Sequence, residues 1–344
     1  MIAKPDTYKA VAASVENWFY EFAREFPWRN EDTPWGRLVC EIMAQQTQIS
    51  RVAKRWPQMM ERFPTPEQMA KSDEQDVLSI WQGLGYYRRA KYLKAAAEMI
   101  VAEFDGEVPS DVDSLLKLPG VGKYTAGAIA SIAFEERVPI VDGNVHRVLC
   151  RLANKLGKPI PDAWTWDQAK LLVESSHKPN ICNEGLMELG ATICTPTSPA
   201  CSGCPIADYC QAYKCGTQDK VPAARKAKPK KHLHHHAVVL TCKGKIALEQ
   251  RASTGLWASM WQVPTIESTR KMTSTQVAKK LGLPPKLSRL GFFDHTLTHR
   301  VISFCVFRCE IDCDERFEWH EINSLDAVPL ANAQRKVLAV HCPT

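Results

Sequence analysis

The stretch Leu118-Pro119-Gly120-Val121-Gly122-Lys123-Tyr124-Thr125 lies between two segments of helical periodicity, Asp113 to Leu118 and Thr125 to Phe134. Its glycines leave the backbone open to close approach by a bulky partner. Backbone N–H groups of such a hairpin, together with the N-terminal end of the following helix, point at an anion without needing side-chain charge, so the turn suits phosphate. A tight helix-helix connection is the alternative, and it accounts for one glycine but not for Pro-Gly-Val-Gly as a set. Outward from this turn, up to about Tyr213, amphipathic segments alternate with breaks such as Phe63-Pro64-Thr65-Pro66 and Gly106 to Ser110. That pattern describes an all-α unit.

The chain has 344 residues, 45% hydrophobic and 24% charged, an ordinary globular composition with length for about two domains. No run approaches a membrane span, and Met1 to Ala10 lacks the basic-then-apolar layout of a secretory signal, so a reducing cytoplasm is expected. The formal charge of +6 suits a polyanion partner without singling one out. From Val221 to Lys231 the chain reads VPAARKAKPKK, with almost nothing to bury, which predicts a solvated linker. Beyond it, His236 to Cys242, Lys245 to Gln250 and Val301 to Ile311 are β-rich, the first pair joined by Lys243-Gly244 as a hairpin turn. Helical patterns at Ser274 to Leu281 and Leu330 to Val340 complete an α+β unit. The group His232, His234, His235 and His236 enters a strand without fixed ligand geometry and reads as an incidental polar patch.

Four cysteines, Cys194, Cys201, Cys204 and Cys210, share one Pro/Ser/Thr-rich loop with the spacing C-x6-C-x2-C-x5-C. Packing rarely needs so many thiols so close together, and the spacing points to a four-thiolate metal or iron-sulfur site. The other nine of the thirteen cysteines read as small, unpaired core residues, because pairing needs an oxidising compartment.

Three further segments carry candidate chemistry. In Trp35 to Ser50, a continuous helix would put Leu38, Val39, Ile42, Met43 and Ile49 on one face and Glu41, Gln45 and Gln48 on a neighbouring polar stripe. Glu41 is then either a solvated helix glutamate or a carboxyl kept protonated by apolar surroundings, as a general acid requires. Asp142, in Pro139-Ile140-Val141-Asp142-Gly143-Asn144-Val145, precedes a helical segment and is expected to cap it; N–H donors would keep it ionised, ready to face a developing positive charge. Gly83-Leu84-Gly85-Tyr86-Tyr87-Arg88-Arg89 places aromatics and arginines beside flexible backbone. It suits either a wedge into a base stack with arginines on phosphates, or a packed helix start.

Together, the hairpin, the Val-Asp-Gly-Asn-Val segment and the four-cysteine loop resemble the helix-hairpin-helix DNA glycosylase superfamily, whose branches include endonuclease III and the MutY-type adenine glycosylases. The resemblance implies a 4Fe-4S cluster on Cys194, Cys201, Cys204 and Cys210, where thiolates alone would also admit zinc. Endonuclease III-like enzymes place a Schiff-base lysine at the position of Tyr124, and Lys123, about 100° away on a helix, is a poor substitute. Tyr124, Glu41 with Ala44-Gln45-Gln46-Thr47-Gln48, and Gly83-Leu84-Gly85-Tyr86-Tyr87 resemble the MutY branch instead. That branch implies a multidomain fold: an all-α glycosylase domain over residues 1–220, a basic linker over 221–231 and an α+β Nudix-like domain over 232–344. Within the first domain it implies a six-helix module over about 30–136 and an iron-sulfur module from 1–29 and 137–220.

The implied reaction is hydrolysis of the N-glycosidic bond of adenine opposite 8-oxoguanine or guanine in duplex DNA, with Glu41 and Asp142 catalytic and Tyr124 and Asn144 orienting them. DNA contacts are implied for Gln45, Gln46, Gln48, Leu84, Tyr86 and Arg88, and at the hairpin for Gly120, Gly122, Lys123 and Thr125. In the C-terminal unit, Leu256-Trp257, Trp261-Gln262-Val263-Pro264 and the helix near Gln276 to Leu283 resemble the Nudix pattern. Lys279 and Lys280 stand where a hydrolase carries metal-binding glutamates, and ammonium groups cannot ligate Mg²⁺, so the unit is expected to recognise rather than hydrolyse. Lesion reading falls to Leu297, Thr298 and His299, with Leu297 in place of the usual phenylalanine. The expected protein is a cytoplasmic monomer, nucleoid-associated in a bacterium, with no membrane partner. The rivals are an endonuclease III-like lyase, a non-catalytic iron-sulfur DNA-binding protein and a Nudix nucleotide hydrolase.

Overall fold

In the computed structural model, residues 5–30, 33–157, 160–223 and 229–341 are described. They form two compact units, one from residues within 1–71 and 92–226, the other from residues within 72–91 and 227–344.

The first unit is helical. Its principal helices are α1 (Pro5–Phe22), α2 (Pro34–Ala44), α3 (Ile49–Arg62), α4 (Lys123–Phe134), α5 (Gly143–Leu152), α6 (Asp162–Ser175) and α7 (Pro179–Thr192). One core joins Val11, Ala12 and Val15 of α1 to Val145, Val148 and Leu149 of α5, Leu172 of α6 and Leu186 and Leu189 of α7. Cys194, Cys204 and Cys210 pack against it. Helix α2 is buried from Trp35 to Met43, and α4, whose Ala126, Ala128 and Ala130 are all buried, packs against it. At Gly127 of α4 an added Cβ would lie 2.8 Å from the Pro139 carbonyl oxygen, so only glycine permits that approach.

The polar stripe expected beside Glu41 does not form as one helix. Helix α2 stops at Ala44, Gln45 leaves the helical region, Gln46 turns left-handed at φ 55°, and α3 begins only at Ile49. Thr33 starts α2 by accepting from the Gly36 N–H at 3.0 Å, with Pro34 filling a first-turn position that has no partner to lose. The helix expected from Asp113 to Leu118 is a single turn, Val112–Leu115, capped by Asp111.

The second unit is a mixed seven-stranded sheet. Its strands are β1 (Lys231–Cys242), β2 (Lys245–Gln250), β3 (Trp261–Gln262), β4 (Thr265–Ser268), β5 (Ser288–Thr296), β6 (Arg300–Glu310) and β7 (Glu318–Glu321), with helices α8 (Ser274–Leu281) and α9 (Asn332–His341). The order is β3-β2-β1-β6-β5, with β4 on β1 and β7 on β2; β1 and β6 run parallel and the other pairs antiparallel. Lys243 and Gly244, at φ 45° and 79°, make the expected two-residue turn between β1 and β2. Residues 72–91 join this unit through side chains: Gln75 Nε2 donates to the Ser259 carbonyl at 3.2 Å, Gln82 Nε2 to that of Val328 at 3.1 Å, and Lys91 Nζ to Ser259 Oγ at 2.7 Å.

Three expectations for the C-terminal half need correction. The segment read as a solvated linker is structured at both ends, since Val221 is buried and its carbonyl accepts from Arg151, while Lys231 opens β1; residues 224–228 lie outside the described ones. The histidine patch is divided by the strand's alternation. His232 is exposed, but His235 is fully buried between Trp257 and Phe304, and His236 Nε2 accepts the Met272 N–H at 2.9 Å. Among the nine cysteines outside the loop, Cys242 and Cys313 are disulfide-bonded, because the chain returns after β6 to bring their Cα atoms to 5.6 Å, within bridging range. Cys40, Cys150, Cys182 and Cys309 are buried core residues, as expected.

Candidate active site

Helices α2, α4, α5 and α7 bring Glu41, Tyr124 and Asp142 to one site. Glu41 is 6% exposed, and burial raises its carboxyl above the usual range. Arg37 and a hydrogen bond from Tyr124 lower it, while the charges of Glu184 and Asp142 raise it further. Tyr124, on the first turn of α4, packs half-buried with Met187 against Ala128, Ile132 and Ile140. Burial, Glu41 and Asp142 hold its phenol well above the usual value, so it stays a neutral donor.

Asp142 is the N-cap of α5, as expected. Its Oδ1 accepts the Val145 N–H at 2.7 Å and its Oδ2 accepts from Asn144 Nδ2 at 3.0 Å. The expectation that these donors alone govern its titration is not met. Burial raises the carboxyl, and the donors and Arg147 offset that only in part, because the capped oxygens sit among packed helices. Asn144 in turn accepts from Arg147 Nη2 at 2.8 Å, and Arg147 also donates to the carbonyls of Gly190 and Cys194, both at 2.7 Å. Arg147 thus ties the Asp142 cap to the cysteine loop, and Arg151, one turn on, donates to the Thr195 carbonyl at 2.7 Å and to Cys194 Sγ at 3.3 Å.

The hairpin has the form of an anion site. Gly122 is the N-cap of α4 with no side-chain cap, so the first N–H groups of a twelve-residue helix face outward. Gly120 sits at φ +82°, where an added Cβ would lie 2.8 Å from Tyr92 Cβ. Gln45 Nε2 donates to the Gly120 carbonyl and to Thr125 Oγ1, both at 3.1 Å, bracing the turn. The Thr125 side chain is therefore buried, which leaves its backbone N–H, not its hydroxyl, for a partner. Gln46 and Gln48 are exposed, and the Lys123 ammonium lies over the Trp166 ring at 3.9 Å.

The Gly83 to Arg89 segment is only partly the wedge it resembled. Gly83 and Gly85 take φ of 88° and 72°, and Tyr86, also left-handed, is 42% exposed. Leu84 is 4% exposed and is a core residue, not a wedge. Arg88 is exposed, but Arg89 turns inward to the Gly85 carbonyl at 2.9 Å, so one arginine of the pair, not both, faces outward. The Tyr86 hydroxyl hydrogen-bonds Thr298, which with Leu297 and His299 forms the β5–β6 turn; Thr298 and His299 are exposed and Leu297 half-buried. Sequence patterns miss Glu184, Arg147 and Arg151, whose partners are distant in the chain. Arg37 carries one signal, a charge one helical turn before Glu41 in an otherwise apolar run.

Cys194, Cys201, Cys204 and Cys210 line one cavity with Val148, Leu189 and Ile206. Four thiols around an apolar cavity, with a guanidinium donor on Cys194, fit an anionic iron-sulfur cluster.

Residues 39–164 match the HhH-GPD superfamily of base excision DNA repair proteins, 194–210 the iron-sulfur binding domain of endonuclease III, and 235–340 the NUDIX domain. The adenine DNA glycosylase of Arabidopsis thaliana is 35% identical over 313 residues, 77% of this chain, which spans about half (49%) of that protein. That of Buchnera aphidicola subsp. Baizongia pistaciae is 31% identical over 83% of this chain and 82% of its own length. A thermostable thymine-DNA glycosylase of known structure superposes with a TM-score of 0.56 at 28% identity, over 61% of this chain and 98% of its own. The chain thus carries a 4Fe-4S cluster domain, and the match spans the four-cysteine loop. Among the described residues, no helix is long and apolar enough to cross a membrane.

Proposed function

The chain belongs to the adenine DNA glycosylase family, and from that premise we propose that it is a monofunctional, monomeric enzyme acting on adenine opposite 8-oxoguanine, or opposite guanine, in duplex DNA. The observation that carries the reading is the convergence of a buried acid, a neutral phenol and a capped aspartate, Glu41, Tyr124 and Asp142, on one site.

With adenine extruded from the stack, the protonated Glu41 carboxyl donates to N7 and makes the base a good leaving group. General acid help of this kind contributes roughly 10² to 10⁴ in rate. As the glycosidic bond lengthens, cationic character builds on the deoxyribose, which favours the ionised form of Asp142 and is stabilised by it. Asn144 holds Asp142 in place, and Tyr124 orients Glu41. Water then attacks the anomeric carbon and gives up a proton that restores the Glu41 carboxyl, leaving free adenine and an abasic site. No amine is available for Schiff-base chemistry at the position of Tyr124, and Lys123 is engaged with Trp166.

The N-terminus of α4, with the exposed Gln46 and Gln48, supports backbone contact with DNA. The exposed ring of Tyr86 suits the gap left by the extruded base, and its bond to Thr298 supports a shared task with the turn that would read 8-oxoguanine through Thr298 and His299. Bound to its four cysteines, the cluster supplies a rigid staple for the loop that Arg147 and Arg151 clasp.

End-labelled duplexes carrying adenine opposite 8-oxoguanine, guanine or thymine, or an oxidised pyrimidine, test the reading. Scission is expected at adenine in the first two, only after alkali, and Glu41→Gln is expected to bind the mispair without releasing adenine. Scission without alkali, or full turnover by Glu41→Gln, would refute it.

A further inference from the structure

Glu41 ends a row of alternating charges that runs inward from the exposed Arg24. Arg24 Nε pairs with Glu188 Oε1 at 2.5 Å, Arg29 Nη2 with Glu188 Oε2 at 3.3 Å, and Arg29 Nε with Glu184 Oε1 at 3.6 Å. Arg37 Nη1 then lies 3.4 Å from Glu184 Oε1 and 4.0 Å from Glu41 Oε1. Arg37 stands one turn before Glu41 on α2 and is only 4% exposed, among Trp35, Leu38 and Val39, where an aliphatic side chain would pack without desolvating a charge. Packing alone therefore does not explain a guanidinium at this position.

We propose that Arg37 is a positioning residue for the general acid: braced by Glu184, its guanidinium keeps the Glu41 carboxyl acidic enough to surrender its proton to the departing base. A general acid works best when its proton affinity lies near the working pH, and burial alone holds the proton too firmly. Among the described residues, the groups that face or neighbour Glu41 are Arg37 and Cys40 on its own helix, Tyr124 on α4, Asp142 at the start of α5 and Glu184 on α7, while Arg29 from the short helix Pro27–Asn30 acts on Cys40. Of these, Arg37 is the largest influence opposing burial, and Glu184 acts in the opposite sense.

The sign of each substitution follows. Adenine release needs protonated Glu41, so the rate falls as pH rises through the Glu41 titration. In R37M the carboxyl faces Glu184 without the intervening cation, and the alkaline limb should move up by about one pH unit or more, the usual size of a guanidinium's effect at this distance. In E184Q, Arg37 loses its partner anion and acts on Glu41 alone, so the limb should move down. R37K, which retains a cation, should return the limb towards the wild-type position.

The inference rests on Glu41 being the general acid, so E41Q is run beside the others. Single-turnover adenine release is followed across the neutral and alkaline range, using cluster-loaded full-length protein and the adenine:8-oxoguanine duplex. Limbs displaced in opposite directions by R37M and E184Q establish the role. Limbs that stay put, or move the same way, while E41Q is inactive, overturn the role of Arg37 and leave the catalytic reading standing. Full turnover by E41Q removes that reading and this inference with it. If R37M does not fold, R37Q, which removes the charge but keeps a polar side chain, decides in its place: an upward limb supports the role, an unmoved or downward one ends it.

Discussion

Gly190→Ala tests how tightly the Asp142 cap, proposed above as catalytic, is held. Gly190 lies on α7 where the start of α5 passes, and a Cβ there would sit 2.6 Å from Asn144 Cβ and 3.0 Å from its Cα and carbonyl carbon. Ordinary contact begins at 3.4 Å, so the cap must retreat by about 0.8 Å, and none of the three atoms is a flexible side-chain end. The same movement strains Arg147, which bonds both the Gly190 carbonyl and Asn144. A displacement of about 1 Å at a reacting group costs on the order of 10²-fold in rate, equivalent to roughly 2.7 kcal/mol of barrier. Overpacking of this kind lowers stability by about 1 to 3 kcal/mol. Single-turnover adenine release should fall about a hundredfold while mispair affinity, measured by anisotropy, changes little. Circular dichroism and cluster absorbance establish that the protein is folded and loaded. A folded Gly190→Ala variant releasing adenine at the wild-type rate would refute the claim that this approach positions Asp142.

Two further expectations concern the C-terminal unit. Burial pushes the His235 imidazole down to about 4, with Glu267 at 3.8 Å opposing, so the unfolded chain takes up a proton near 6.5 that the folded one refuses until about 4. Stability is therefore complete above about pH 6.5 and declines towards pH 4 by up to roughly 3 kcal/mol, a slope that His235→Leu should flatten in urea melts followed by tryptophan fluorescence. An unchanged slope would assign it to another group. The Cys242–Cys313 bridge closes a loop with a sequence separation of 71, and removing it with Cys242→Ser should cost about 4 kcal/mol. A Tm that is the same in the variant, and the same with and without reductant, would rule the bridge out as a stabiliser.

Local pattern determined a good deal. The glycines of Leu118 to Thr125 dictate the turn, and the cysteine spacing keeps four thiols within reach of one cluster. Asp142 caps a helix because its oxygen lies three residues from the Val145 N–H, and Lys243-Gly244 turns a hairpin because both residues take left-handed φ. Each of these follows from groups a few residues apart, where the chain geometry leaves little freedom. Tertiary structure alone decided the rest. Periodicity could not place the break at Gln45 to Gln48, where the Gln45 amide bonds to Gly120 and Thr125, some eighty positions on. It could not bury Leu84 and Arg89 while leaving Tyr86 and Arg88 outside, nor bring Cys313 to Cys242. Glu184 reaches Arg37 across nearly a hundred and fifty positions, so the Arg37–Glu184 pair beside Glu41 exists only once α2 and α7 have been brought together. The residue types proposed to do the chemistry are legible in sequence, whereas their proton affinities depend on desolvation and on the charges that packing places beside them.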